Sequence, residues 1–340
     1  MDELRKKRLL WQIPFLLLLI VGTVLIIRQQ RSIPYQHCSG LVFGTTYHLT
    51  YQYDTDLKKE IEAKMQEVDN ALSMFNQKSI ISRINNNSDM TPNKMFLEVF
   101  RQAQKISEDT HGCFDITVGP LVNAWGFGFK NEQLPDKHAV DSLMTIIGYK
   151  KVHYDGKHIV KSDKRVTLDC SAIAKGYGVD VVANLLESKG ITNFLVEIGG
   201  EIVTRGISEK RLPWKIGVTK PTNNPLNEGQ ELQTTLNVTD KAMATSGNYR
   251  NFYYKGNKKY AHTIDPKTGY PVQHNILSAT VLSDHCMRAD AYATAFMVMG
   301  FDEARKVLER NPDLMAYLIY DDNGQNKVWF SPSLKEKIAQ

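Results

Sequence analysis

The stretch Arg165-Val-Thr-Leu168-Asp-Cys-Ser171-Ala-Ile-Ala-Lys175-Gly-Tyr-Gly178-Val-Asp180 decides the fold class. Its opening residues predict a strand over Arg165–Leu168, and the alanine-containing run after it predicts a helix over Ala174–Ser188 that stops near Gly190. A strand at Asn193–Ile198 follows. Strand, helix and strand in succession also describe half of a dinucleotide-binding unit, but that unit needs G-x-G-x-x-G in the first turn. Gly178 comes too late for it, and there is no P-loop. Working outward, Lys151–Tyr154 and His158–Lys161 flank Asp155-Gly156, a strong hairpin signal. Further strands are expected at Glu201–Arg205, Trp214–Val218, Leu232–Val238, Asn251–Tyr254, Lys259–Thr263 and Ser278–Ser283, with a terminal hairpin at Asp322-Asn-Gly324. Strands outnumber helices and many are hairpin-linked, so the class is α+β rather than doubly wound α/β.

Besides a helix over Asp302–Glu309, three more helices are expected. Leu57, Ile61, Met65, Val68 and Leu72 mark the core face of one. Thr91-Pro92 offers an N-cap and N1 proline for a second, which ends at Gly112. The third is Arg288-Ala-Asp290-Ala-Tyr-Ala-Thr294-Ala-Phe-Met-Val-Met-Gly300, where Asp290 and Thr294 stand at i and i+4 on one face. Two hard oxygens in one small volume suit Mg2+, which takes few protein oxygens. The blander alternative is an Asp that complements the helix dipole and a Thr bonded back to the preceding turn. His262 is a candidate for proton handling, against a structural histidine bonded to the turn at Asp265. Trp125 and Trp214 read as core, and Thr245-Ser-Gly-Asn-Tyr249 as a cleft loop.

Leu9–Ile27 carries no charge and follows Arg5, Lys6, Lys7 and Arg8. It predicts one N-terminal transmembrane helix in the cytoplasmic membrane, with a cleaved signal peptide as the rival, and a globular part facing the periplasm or exterior. The chain then divides into residues 1–31, tail and anchor, and residues 32–340, one extracytoplasmic domain. Of 42 basic and 37 acidic residues, the first 31 positions hold six and two, which leaves 36 against 35. So neutral a body excludes a nucleic-acid footprint. Cysteines 38, 113, 170 and 286 form no CxxC pair, no zinc spacing and no disulfide framework.

Six segments resemble the ApbE family of flavin transferases, in order, from about Gly40 to about Gly300. They are Phe43-Gly-Thr45, Phe114–Gly128, Leu168–Asp180, Glu197-Ile-Gly-Gly-Glu201, Ala261–Pro271 and Arg288–Gly300. The resemblance implies a T-fold-like α+β domain that transfers FMN from FAD to a threonine hydroxyl of an acceptor flavoprotein and releases AMP. FAD would be the substrate and Mg2+ the cofactor. The metal would lie between the Asp290 and Thr294 side chains and the main-chain carbonyl of Gly178, where the family commonly has Ala. Ala293 departs from members with a second carboxylate beside the threonine. Flavin contacts would be Phe43, Asp115, Lys175 and Ile264, with Phe114 and Met74 as neighbours, and His262 would handle the proton. Acceptors would be subunits of ion-pumping redox complexes. An FAD pyrophosphatase yielding FMN and AMP, or a flavin-binding protein without turnover, stays open at this stage.

Overall fold

A computed structural model describes residues 12–24, 33–127, 134–221, 232–248, 252–255, 258–273 and 275–337. Eight strands make one antiparallel sheet whose spatial order is the chain order. They are β1 (Tyr35–Val42), β2 (Thr45–Gln52), β3 (Phe194–Ile198), β4 (Glu201–Arg205), β5 (Ala242–Gly247), β6 (Ile276–Ser283), β7 (Met315–Asp322) and β8 (Gln325–Phe330). Neighbours in sequence are neighbours in space, the simplest solution for hairpin-linked strands. Long excursions hang from this meander. Between β2 and β3 the chain forms helices α1 (Lys58–Leu72), α2 (Lys94–Asp109) and α3 (Ala174–Ser188), and between β6 and β7 it forms α4 (Cys286–Met299) and α5 (Phe301–Arg310).

Burial shows why the central strands lack clean alternation. Glu201–Val203 and Thr204 are all buried, as is nearly all of β6, so both faces are covered. Ala244, Ala279, Val281 and Leu318 pack on the helical side with Phe96, Val99 and Phe296. Their neighbours Met243, Leu282 and Ile319 join Val218 and Leu236 of the hairpin Lys215–Thr219/Leu232–Asn237 on the other side. Helix α4 is buried all round, as a helix apolar on every face must be, and its alanines allow close approach to the sheet and to α3.

Several sequence expectations need correction. No helix among the described residues is long and apolar enough to cross a membrane. Residues 12–24 are helical, which spans about 20 Å against a hydrocarbon core of about 30 Å. Residues 9–11 and 25–27 of the expected anchor lie outside the described residues. The membrane as partner, the cytoplasmic-membrane location and the periplasm-facing orientation all rested on that helix and fall with it. Arg165–Leu168 is not a strand, because the Asn85 side chain takes the place of a strand partner: it donates to the Leu168 carbonyl at 2.8 Å and accepts the Leu168 N–H at 2.7 Å. The cap of α2 is Asn93, whose side chain accepts the Phe96 N–H at 2.8 Å, and not Thr91. Thr245–Gly247 belongs to β5 instead of a loop, while Tyr249 lies outside the described residues.

Candidate active site

The site is built where α3 and α4 touch. At Gly176 a β-carbon would stand 2.5 Å from the Cys286 carbonyl oxygen, so only glycine permits this approach. Neither helix has a side-chain cap of its own. Each instead lends the other a carboxylate. Asp180 of α3 accepts the Cys286 and Met287 N–H groups, both at 2.8 Å, and Asp290 of α4 accepts the Gly176 N–H at 3.0 Å. These are the orphan donors of the two first turns, satisfied across the interface.

Two cavities open beside this contact, about 340 and 440 Å3 in volume, within the range of small-molecule sites. Ser171 and Lys175 line both. The larger is walled by Phe43, Leu72, Met74 and Phe75. The smaller carries the polar groups, among them His262, Glu201, Ser246, Asp290 and Thr294. Lys175 therefore stands at the junction. Its ammonium lies 2.9 Å from Glu201 Oε1 and 3.8 Å from Asp290 Oδ1. Burial alone would lower the pKa of this lysine, but Asp290 and Glu201 overcome it and hold the group charged. Glu201 is displaced the other way: burial raises its pKa, Lys175 opposes, and Asp290 adds to the rise. Its Oε2 is buried with no hydrogen-bond partner among the described residues. Thr294 Oγ1 and Ser246 Oγ are 3.2 Å apart.

Lys175, Phe114, Asp115, His262, Ile264, Asp290 and Thr294 thus surround the smaller cavity, and Phe43 and Met74 the larger one. Phe43 and Gly44 form the two-residue turn between β1 and β2, both with positive φ, 51° and 74°. Such a turn favours Asn-Gly, and a phenylalanine held there carries backbone strain to place its ring. Asp115 accepts Thr117 N–H, Thr117 Oγ1–H and Tyr149 N–H at 2.6–2.8 Å, so it braces its own loop as well as lining the cavity. Burial raises its pKa against these bonds. The His262 ring meets Phe127 edge-on at 6.4 Å, and Asp265 accepts the Lys267 N–H as an Asx turn.

Gly178 lines neither cavity. It sits inside α3, where a carbonyl is engaged by the N–H four residues on, and its Cα faces the Phe43 ring. Ala293 is in the apolar core. Trp125 and Trp214 are buried, with indole N–H groups donated to Gly269 O and Arg205 O. Glu201 and Asp169 line the smaller cavity without having been assigned a role from sequence. Their signal was faint: each is one acidic residue beside a turn, and nothing in the sequence says that it points inward. Among the described residues there is no group of three or more His, Cys, Asp or Glu suited to a metal. The polar cavity has instead three buried carboxylates, Asp115, Glu201 and Asp290, together with several hydroxyls, and of these the Asp290 and Thr294 oxygens are a hard pair that suits an ion taking few protein ligands.

Two cavities that share the half-buried Lys175 as a lining residue suit an extended, charged ligand. The sequence model of the ApbE family matches residues 43–319, and the chain belongs to that family. The FAD:protein FMN transferase of Vibrio cholerae is 36% identical over 315 residues, 89% of this chain and 93% of that protein. That of Haemophilus influenzae is 37% identical over 303 residues, 84% of this chain and 87% of its own. The solved flavin transferase ApbE from Vibrio cholerae has a TM-score of 0.81 at 34% identity, covering 89% of this chain and 100% of that one.

Proposed function

We propose that this chain is an FAD:protein FMN transferase, and the observation that carries the reading is the junction at Lys175. FAD has two ring systems separated by a diphosphate, and here two cavities share a half-buried ammonium. The rings take the cavities and the diphosphate crosses at Lys175. Phe43 and Met74 wall one ring, and Phe114, Asp115 and Ile264 the other.

In the reaction, the acceptor hydroxyl oxygen bonds to the FMN phosphorus, the bond from that phosphorus to the bridging oxygen breaks, and AMP leaves with the bridging oxygen. The acceptor is a protein threonine, and its proton goes to His262, which lines the polar cavity. Asp290 and Thr294 are the residues that would hold Mg2+. Bound there, the ion would supply charge neutralisation and Lewis acidity to the diphosphate. The fit rests on Asp290 Oδ1, the oxygen not committed to Gly176. The Gly178 carbonyl, inside the helix, is left out of the set.

The test is to incubate the protein with FAD, Mg2+ and an acceptor domain and look for fluorescent flavin on the acceptor in a denaturing gel. Covalent flavin that disappears when the acceptor threonine is replaced by alanine supports the reading. AMP release with no labelled acceptor would make the chain an FAD hydrolase instead.

A further inference from the structure

The resident ammonium poses a problem for a divalent ion at Asp290, and Glu201 resolves it. Glu201 heads β4 directly after the Gly199–Gly200 turn and is 4% exposed. One of its oxygens holds Lys175, and the other, Oε2, is fully buried with no hydrogen-bond partner among the described residues. A buried carboxylate oxygen with no donor is costly unless something fills the place. Glu201 and Asp290 share the single ammonium of Lys175. Asp290 Oδ1 stands 3.8 Å from the same ammonium.

We infer that Glu201 belongs to the cation site, and that Lys175 is a built-in cation that occupies the carboxylate pair until a divalent ion displaces it. This rests on the reading of Asp290 as a metal residue. Displacement turns the ammonium from Glu201 and Asp290 toward the junction it shares with the other cavity, where a diphosphate would cross. Metal entry and substrate entry then favour each other, because the ion releases the positive charge that the phosphates need. No bond to carbon or phosphorus changes in this step; one cation replaces another on the same oxygens. The two substitutions have opposite signs, which a merely structural role for either residue does not produce. Removing the Glu201 charge weakens divalent binding. Removing the Lys175 charge strengthens it.

The experiment measures Mn2+ binding to the full chain without FAD, from the loss of the free-ion EPR signal, with Mg2+-dependent thermal shift as a second readout. Glu201→Gln is expected to weaken Mn2+ binding about tenfold or more, as does Asp290→Asn, whereas Lys175→Met tightens it by a similar factor. Wild-type affinity in Glu201→Gln, with binding lost in Asp290→Asn, overturns this inference and leaves the metal reading standing. Equal binding by wild type and Asp290→Asn overturns both. Should Glu201→Gln fail to fold, Lys175→Met decides alone: unchanged or weaker Mn2+ binding refutes the built-in cation.

Discussion

Asp180 and Asp290 serve the same device at two ends of one helix pair, and they differ in a single oxygen. Asp180 commits both oxygens to backbone donors of α4, at Cys286 and Met287. Asp290 commits one, to Gly176 of α3, and turns the other toward Lys175 and the cavity. The first is a complete cap and lies away from both cavities. The second is a cap with a vacancy for chemistry. A buried carboxylate is tolerated in either place because backbone N–H groups offset part of its desolvation. What separates packing from function is the oxygen left over.

The same substitution at the two positions should therefore give opposite results. Asp290→Asn keeps an amide oxygen for Gly176 but loses the charge, so FMN transfer should fall by about 10²–10³-fold with little change in unfolding temperature. Transfer at the wild-type rate would erase the distinction. Asp180→Asn should do the reverse, leaving transfer intact in the folded protein. The asparagine offers one acceptor to two backbone donors and sets its own N–H2 against the other, at about 1–3 kcal/mol of stability in a denaturant titration. His262→Ala sharpens the comparison from the catalytic side. Transfer should slow roughly 10²-fold while FAD binding, read by flavin fluorescence, holds. Equal losses of affinity and rate would make His262 a binding residue.

How much of this was legible from sequence depends on distance along the chain. The hairpins were, because a turn such as Asp155-Gly156 declares itself within four residues. So was the i, i+4 pair on α4. The dipole reading of Asp290 was half right: it does complement a helix N-terminus, but that of α3, more than a hundred residues away, and no local pattern shows which helix a side chain will reach. Glu201 was quoted within a motif yet given no role, since only the fold decides that its carboxylate faces Lys175. Arg165–Leu168 failed for a related reason, its strand partner being replaced by the side chain of Asn85.

Acidity offers a smaller effect on the same contrast. Burial pushes the Asp180 carboxyl up to about 6, against the two backbone bonds that favour its charge. The folded state then holds its proton over a pH range, between roughly 4 and 6, where the unfolded chain has released it. Stability from this group is greatest below that window, declines as pH rises through it, and is level above. The slope is at most about 1.4 kcal/mol per pH unit. Asp180→Asn should remove that slope, so urea titrations of the two proteins at pH 4, 5 and 6 should converge as pH rises. A constant gap between them across the window would show that Asp180 is ionised throughout.

The smallest effect on stability belongs to the other neighbour of α3. Gly178 is seated so closely under Phe43 that an added β-carbon would stand 2.5 Å from Cε2 of the ring. An alanine there favours the helix by about 1 kcal/mol, and it evicts the ring of a residue already held at positive φ. The two terms oppose, so Gly178→Ala should change unfolding free energy by less than about 1 kcal/mol in either direction. Its consequence falls on the larger cavity, whose wall Phe43 provides. FAD affinity, measured by flavin fluorescence, should drop several-fold, on the order of 1 kcal/mol of lost ring contact. Shortening the evicted side chain in the double variant Phe43→Leu, Gly178→Ala should recover part of that loss. If Gly178→Ala instead left FAD affinity at the wild-type value, the Phe43 ring would have no part in holding the flavin, and the larger cavity would lose its place in the site.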